Sequence, residues 1–98
     1  MAKGYLLSLY REIKDPDKLA AYAALAGPAV EAAGGKFLAR GGKVQAYEDG
    51  LAERTVLIEF ETYEAAKALY DSAPYQEALQ ALGNGVVRDF RVVEGLFD

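Results

Sequence analysis

The chain contains no cysteine, no histidine and no tryptophan among its 98 residues. The lack of cysteine excludes disulfides, thiolate nucleophiles and cysteine-ligated metals. The lack of histidine excludes a histidine general base, histidine-ligated zinc or haem, and any Ser-His-Asp arrangement. Any chemistry must therefore use carboxylates, hydroxyls, lysine, arginine or the backbone, and neither a metal nor another cofactor is predicted.

Long runs of one charge sign and long apolar runs are also missing. The net charge is −4, and acidic and basic residues alternate without a basic stripe, so nucleic acid is not expected as a partner. No run of about 18 apolar residues is present, so no membrane contact is predicted. The N-terminus lacks the apolar segment of a signal peptide, and we expect a cytoplasmic protein.

What the sequence does contain is much apolar surface for one small domain, which we place at residues 1–98. Hydrophobic residues make up 52% of the chain, with seven tyrosines and four phenylalanines. A domain of this length buries only roughly 60–70% of its unfolded surface. The remaining apolar surface favours self-association.

Periodicity predicts the secondary structure. Asp15-Pro16 and Thr62 are typical helix starts, and Ser72-Ala73-Pro74 divides the second helical region into two helices. Strands are predicted over residues 4–11, 36–48, 55–60 and 86–93. The order β-α-β-β-α-β indicates a ferredoxin-like α+β fold, with helices on one face of an antiparallel sheet. Because the strands are apolar on both faces, we expect two sheets to pack face to face in a homodimer.

The pair Gly41-Gly42 lies inside the predicted strand over residues 36–48. Two glycines at this point fit either a tight hairpin turn or a bulge in one long strand. We favour the bulge, because Glu48-Asp49-Gly50 offers a separate turn before the next strand.

The sequence resembles the 1330 family of domains of unknown function over nearly its whole length. The resemblance is carried by the following segments: Ala33–Gly42, Ile58-Glu59-Phe60, Ala65-Ala66, Tyr70, Tyr75-Gln76 and Val93-Glu94-Gly95. That family is similar to the dimeric α/β-barrel superfamily, which includes cofactor-free monooxygenases, lactone isomerases and haem enzymes. The resemblance implies a homodimer with a barrel-like interface, and it implies no particular activity.

Two positions depart from the family pattern. Leu69 precedes Tyr70 where the family commonly has tryptophan, and Leu82 stands where the family usually has an arginine on the last helix. If that arginine binds an anion in the family, the resemblance implies that the role is missing or displaced here.

The segment Arg40-Gly41-Gly42-Lys43 is a candidate anion site, because glycine amides and a guanidinium can hold a carboxylate or phosphate. The same pattern fits a glycine bulge with two solvated cations, which is the commoner outcome. Tyr22, Tyr70 and Tyr75 could line a ligand pocket between helices and sheet, although aromatic residues at helical spacing usually belong to the core.

Glu59 is the candidate catalytic residue. It alternates with Ile58 and Phe60, so it should face the dimer interface if those two residues pack under the helices. A carboxylate there could act as a general base. The simpler alternative is an ion pair with Arg40 or Arg91 that fixes strand register.

Three functions fit these patterns. The favoured one is a homodimeric domain that binds a small molecule, suited to an anion by Arg40, in a pocket between sheet and helices. The second is a cofactor-independent monooxygenase or isomerase, with Glu59 as base and Arg40 stabilising an enolate. The third is a structural or interaction module without a cavity.

Overall fold

A computed structural model describes residues 2–97, which form a four-stranded antiparallel sheet with helices on one face. The elements are β1 (Gly4–Ile13), α1 (Pro16–Ala32), β2 (Lys36–Arg40), β3 (Thr55–Phe60), α2 (Tyr63–Asp71), α3 (Ala73–Leu82) and β4 (Val86–Glu94). The sheet order is β2-β3-β1-β4, with antiparallel pairing throughout. The predicted ferredoxin-like α+β fold is confirmed. None of the helices within residues 2–97 is long and apolar enough to cross a membrane.

Short polar side chains begin the helices as the sequence predicts. The Asp15 carboxylate accepts from the backbone N–H groups of Asp17 and Lys18 at 3.0 and 3.2 Å. The Thr62 hydroxyl accepts from the backbone of Ala65 at 3.0 Å and starts α2. After α1, Gly34 takes a positive φ of 88°, a conformation that glycine adopts without strain.

The two faces of the sheet have different surroundings. Residues directly opposite each other across strands share a face, so β1, β3 and β4 present one alternating set of side chains to the helices. The buried side chains of this covered face on β1 and β3 are Leu6, Ser8, Tyr10, Val56, Ile58 and Phe60. The other face, which we call the open face, is not covered by any helix within residues 2–97, and the domain measures only 17 Å along its shortest axis.

The structure corrects the prediction for Gly41-Gly42. Strand β2 ends at Arg40, and residues 41–54 are neither a strand nor a tight hairpin turn. Gly41 has a φ of 73°, outside the strand region, and its N–H donates to the Thr55 carbonyl at 3.2 Å, which closes the pairing with β3. The strand irregularity lies earlier, between Phe37 and Ala39. The turn at 48–50 is confirmed by the bond from Gly50 N–H to the Tyr47 carbonyl, 2.9 Å long.

Candidate functional site

A partly buried arginine on the covered face is held by hydroxyl groups. Arg88 lies opposite Tyr10 in the β1–β4 pairing. Its Nη1 donates to Ser8 Oγ at 3.0 Å, to Tyr22 Oη at 3.1 Å and to Tyr10 Oη at 3.4 Å, and its Nη2 donates to Tyr75 Oη at 3.2 Å. No carboxylate within residues 2–97 forms an ion pair with this guanidinium. We call these four oxygens and Arg88 the hydroxyl cluster.

Three elements position the hydroxyl cluster. Ser8 and Tyr10 project from β1, Tyr22 from the middle of α1 and Tyr75 from the first turns of α3. The hydroxyls of Tyr22 and Tyr75 are 2.5 Å apart, and their rings meet edge to face with centres separated by 6.0 Å. The cluster therefore fixes α1 and α3 to each other and to the sheet.

The surroundings of the cluster raise the pKa values of Tyr75 and Arg88. Burial raises the pKa of the Tyr75 hydroxyl well above its usual range, and Tyr22 raises it further, while Arg88 offsets part of the effect. Burial acts against the charge of Arg88, but Tyr22 and Tyr75 more than compensate, so the pKa of Arg88 is also raised. At neutral pH the guanidinium is charged and Tyr75 keeps its proton.

The cluster leaves an excess of hydrogen-bond donors. A guanidinium only donates, so each of the four hydroxyls accepts from Arg88 and retains its own hydrogen. One hydrogen is used between Tyr22 and Tyr75. The other three have no acceptor within residues 2–97, and the buried Arg54 Nε likewise has none in that part of the chain. Their acceptors must come from solvent or from a ligand.

The residues that carry these donors line a cavity of about 40 Å³ between the sheet and α1. The hydroxyl-bearing residues of the cluster form one part of its wall, and Arg88 lies behind them. The apolar part of the wall includes Leu6, Val30, Phe37, Val56 and Ile58. Arg40 and Arg54 also line it. Among the lining residues Ala23 and Arg40 are exposed, so they mark the opening between α1 and β2.

The structure brings together three of the predicted binding residues. Tyr22, Tyr75 and Arg40 line the same cavity, whereas Gly41, Gly42 and Tyr70 lie outside its wall. Tyr70 is 43% exposed and packs its ring against Tyr75 and Phe90.

Glu59 lies on the open face, on the opposite side of the sheet from Arg40. Its carboxylate is 3.4 Å from the Tyr5 hydroxyl, and Lys36 lies opposite it in the β2–β3 pairing. The predicted ion pair of Glu59 with Arg40 or Arg91 is wrong, because Arg40 faces the helices and Arg91 pairs with Asp89. Within one subunit, Glu59 and Arg40 cannot act on the same bound molecule.

Sequence reasoning did not identify Arg88 or Ser8 as members of the site. A signal for Arg88 was present. Val86, Phe90 and Val92 share its parity along β4, so alternation places this arginine on an otherwise apolar face. A charged side chain at such a position must find buried partners.

Residues 3–96 match the family described as Domain of unknown function (DUF1330). The chain belongs to the DUF1330 family. A search of curated protein sequences found no match. Among solved structures, a protein of unknown function from Rhodopseudomonas palustris is similar, with a TM-score of 0.76 and 19% identity over 99% of this chain and 85% of that one.

Two other solved structures are also similar to this DUF1330 chain. A nipsnap family protein of unknown function from Agrobacterium tumefaciens has a TM-score of 0.60 and 13% identity, over 98% of this chain and 90% of that one. A dimeric ferredoxin-like protein of unknown function from Thermobifida fusca has a TM-score of 0.58 and 16% identity, over 95% of this chain and 89% of that one. At these identities the likeness establishes the fold alone.

Proposed function

We propose that this DUF1330 domain binds a small anion in the cavity between the sheet and the helices. The observation that carries the proposal is the excess of donors: the four hydroxyl-bearing residues and Arg54 line one cavity, and three hydroxyl hydrogens and the buried Arg54 Nε have no acceptor within residues 2–97. An anion supplies only acceptors, and hydrogen bonds to a charged group each contribute about 1.5–3 kcal/mol.

The charges around the cavity favour the same class of ligand. Arg88 lies behind the hydroxyls, while Arg40 and Arg54 lie on the wall, and none of the three forms an ion pair with a carboxylate within residues 2–97. In surroundings that exclude much of the water, this positive potential acts more strongly than at an open surface. A neutral ligand would leave the positive charge of these arginines uncompensated.

Calorimetric titration with acetate, nitrate and phosphate, at an ionic strength held constant with chloride, tests the proposal. At least one of these anions should bind to the wild-type protein. Arg40→Met should weaken binding about tenfold, and Lys43→Met, which removes an exposed cation outside the cavity, should change it less than about twofold. Equal losses in both variants would place the anion at the glycine loop. No binding of any anion would refute the proposal.

We further propose that the domain forms a homodimer through the open face. This face carries Tyr5, Leu7, Leu9 and Leu57, and Val93 beside them is 49% exposed. Such an apolar sheet face is typically covered by a second sheet. A second copy is the occupant we favour, because the similar Thermobifida fusca protein is described as dimeric.

Sedimentation equilibrium over a range of protein concentrations measures this assembly. We expect the mass of two chains, 10.6 kDa each, down to low micromolar concentration. A mass of one chain throughout that range would refute the homodimer without affecting the anion proposal, because the cavity lies on the other face.

A further inference from the structure

We infer that the ligand is a small carboxylic acid, whose carboxylate contacts the hydroxyl cluster and whose hydrocarbon part points towards the opening between α1 and β2. This inference rests on the proposed binding of an anion and adds the chemical class of the ligand. It is carried by the size of the cavity, the nature of its wall and the residues at its opening.

The size of the cavity fits a carboxylate head group. The cavity has a volume of only about 40 Å³, which is small for a ligand site. A carboxylate has three heavy atoms, whereas a phosphate or sulfate has five in a tetrahedral arrangement.

The composition of the wall favours a single negative charge with an apolar body. Besides the hydroxyl-bearing residues, the wall contains aliphatic side chains, including Leu6, Val30 and Ile58. Transfer of a second charge, as in a phosphate dianion, next to these side chains would cost more solvation energy than transfer of one. Hydrocarbon groups lose nothing there and gain about 25 cal/mol per Å² of buried apolar area.

The opening is bordered by small residues, one aromatic ring and the Arg40 guanidinium. Ala23 and Gly27 on α1 face Phe37 on β2 across it, and the Arg40 guanidinium lies 4.0 Å from the centre of the Phe37 ring. At Gly27, an added Cβ would meet only Arg40 Nη1, at 3.6 Å. A hydrocarbon chain that leaves the cavity therefore passes Ala23, Gly27 and the Phe37 ring, beside the Arg40 guanidinium.

Titration with butyrate, butyramide and inorganic phosphate at constant ionic strength tests this inference. Butyrate and butyramide share their shape and differ in charge, and phosphate tests the shape of the head group. We expect butyrate to bind at least about tenfold more tightly than either of the others, because one hydrogen bond to a charged group is worth that much.

A pair of variants locates the site. Ala23→Leu fills the opening, and its cost in helix propensity is small because alanine and leucine are both strong helix formers. It should weaken butyrate binding at least about tenfold. The exposed neighbour Ala24 does not line the cavity, so Ala24→Leu should leave the affinity within about twofold. Thermal unfolding of both variants checks that they remain folded.

Other results of these titrations would each contradict one element of the inferred carboxylic acid site. Tighter binding of phosphate than of butyrate would overturn the carboxylate while leaving anion binding intact. Equal binding of butyramide would overturn a role for the charge. Butyrate binding that survives Ala23→Leu unchanged would place the site elsewhere. If acetate, nitrate, phosphate and butyrate all fail to bind, both the inference and the proposed function fall.

Discussion

Arg88 and Arg91 lie three residues apart on the same strand but on opposite faces of the sheet. Their guanidinium groups have different hydrogen-bond partners. Arg88, on the covered face, donates to four neutral hydroxyls from β1, α1 and α3. Arg91, on the open face, donates to the carboxylate of Asp89 on its own strand, with Nε at 3.1 Å from Oδ1. The first cation is held by three elements, and the second by one neighbour.

This difference in partners gives the two faces of the sheet different electrostatic properties. Neutral hydroxyls satisfy the geometry of a guanidinium without cancelling its charge, so positive potential remains available at the cavity. A carboxylate cancels the charge locally, which suits a face that must be covered by another apolar surface. This difference fits the proposed ligand site on the covered face and the proposed dimer interface on the open face.

The largest effect should come from a charge placed at the centre of the open face. Leu7 lies on the central strand β1 between Leu57 and Arg91 in the neighbouring strands. In Leu7→Glu, each subunit would bury a carboxylate in the proposed interface whose cross-strand neighbour Arg91 is already paired with Asp89, which costs several kcal/mol. We expect the dimer dissociation constant, measured by sedimentation, to rise at least about a hundredfold.

Leu25→Glu is the matched control, because Leu25 lies on α1 with 44% of its surface exposed. This variant should remain dimeric. If both variants dissociate equally, or if Leu7→Glu remains dimeric, the open face is not the interface. Circular dichroism distinguishes dissociation from unfolding.

The variants Arg88→Met and Arg91→Met test directly whether the two arginines differ in their effect on anion binding. Removal of Arg88 takes away the charge behind the hydroxyls, so acetate or butyrate affinity should fall roughly 10- to 100-fold. Removal of Arg91 should change it by less than about twofold, since that charge lies beyond the sheet and is already paired. Calorimetry measures both, and similar losses would show that only the net charge matters.

The sequence predicts the fold well because its signals are local. Asp15-Pro16 and Thr62 start helices through bonds to backbone groups two or three residues away, and Thr55–Phe60 alternates cleanly along β3. Such features depend on near neighbours, so a single sequence contains them.

The site is less predictable because its members come from distant parts of the chain. Tyr22 and Tyr75 are separated by 53 positions and meet only after α1 and α3 pack. Alternation on β4 could have placed Arg88 on the covered face, but its hydroxyl partners depend on that packing. Gly41-Gly42 misled the interpretation, because a glycine pair can end a strand as readily as bulge it.

A smaller effect, on the free energy of unfolding, is expected when two tyrosines that differ in burial are each replaced by phenylalanine. Tyr75 is 1% exposed, and its hydroxyl bonds Tyr22 and Arg88, whereas Tyr70 is 43% exposed. Tyr75→Phe leaves both partners short of a bond and should cost about 1–3 kcal/mol of unfolding free energy. Tyr70→Phe should change it by less than about 0.5 kcal/mol.

Thermal unfolding of both variants measures this difference. The midpoint temperature should shift by about 4–8 °C per kcal/mol in a domain of this size. Equal shifts would mean that the hydroxyl cluster adds no stability beyond ring packing. A shift confined to Tyr75→Phe would support the cluster as the element that joins α1 and α3 to the sheet.

The smallest effect should come from Asp89 on the open face. The hydrogen bond from Arg91, with the charges of Arg91 and Arg11, holds the pKa of the Asp89 carboxyl below its ordinary value. The ionised form therefore stabilises the fold fully above the unfolded-state pKa of about 4, and that contribution is lost as pH falls through the lowered folded-state pKa. The stability advantage of the wild type over Asp89→Asn should shrink accordingly below about pH 4 and weaken with added salt, because the pair is close to water. Unfolding midpoints of both proteins between about pH 5 and pH 2 measure this difference, and a pH-independent difference would mean that Asp89 acts through packing rather than charge.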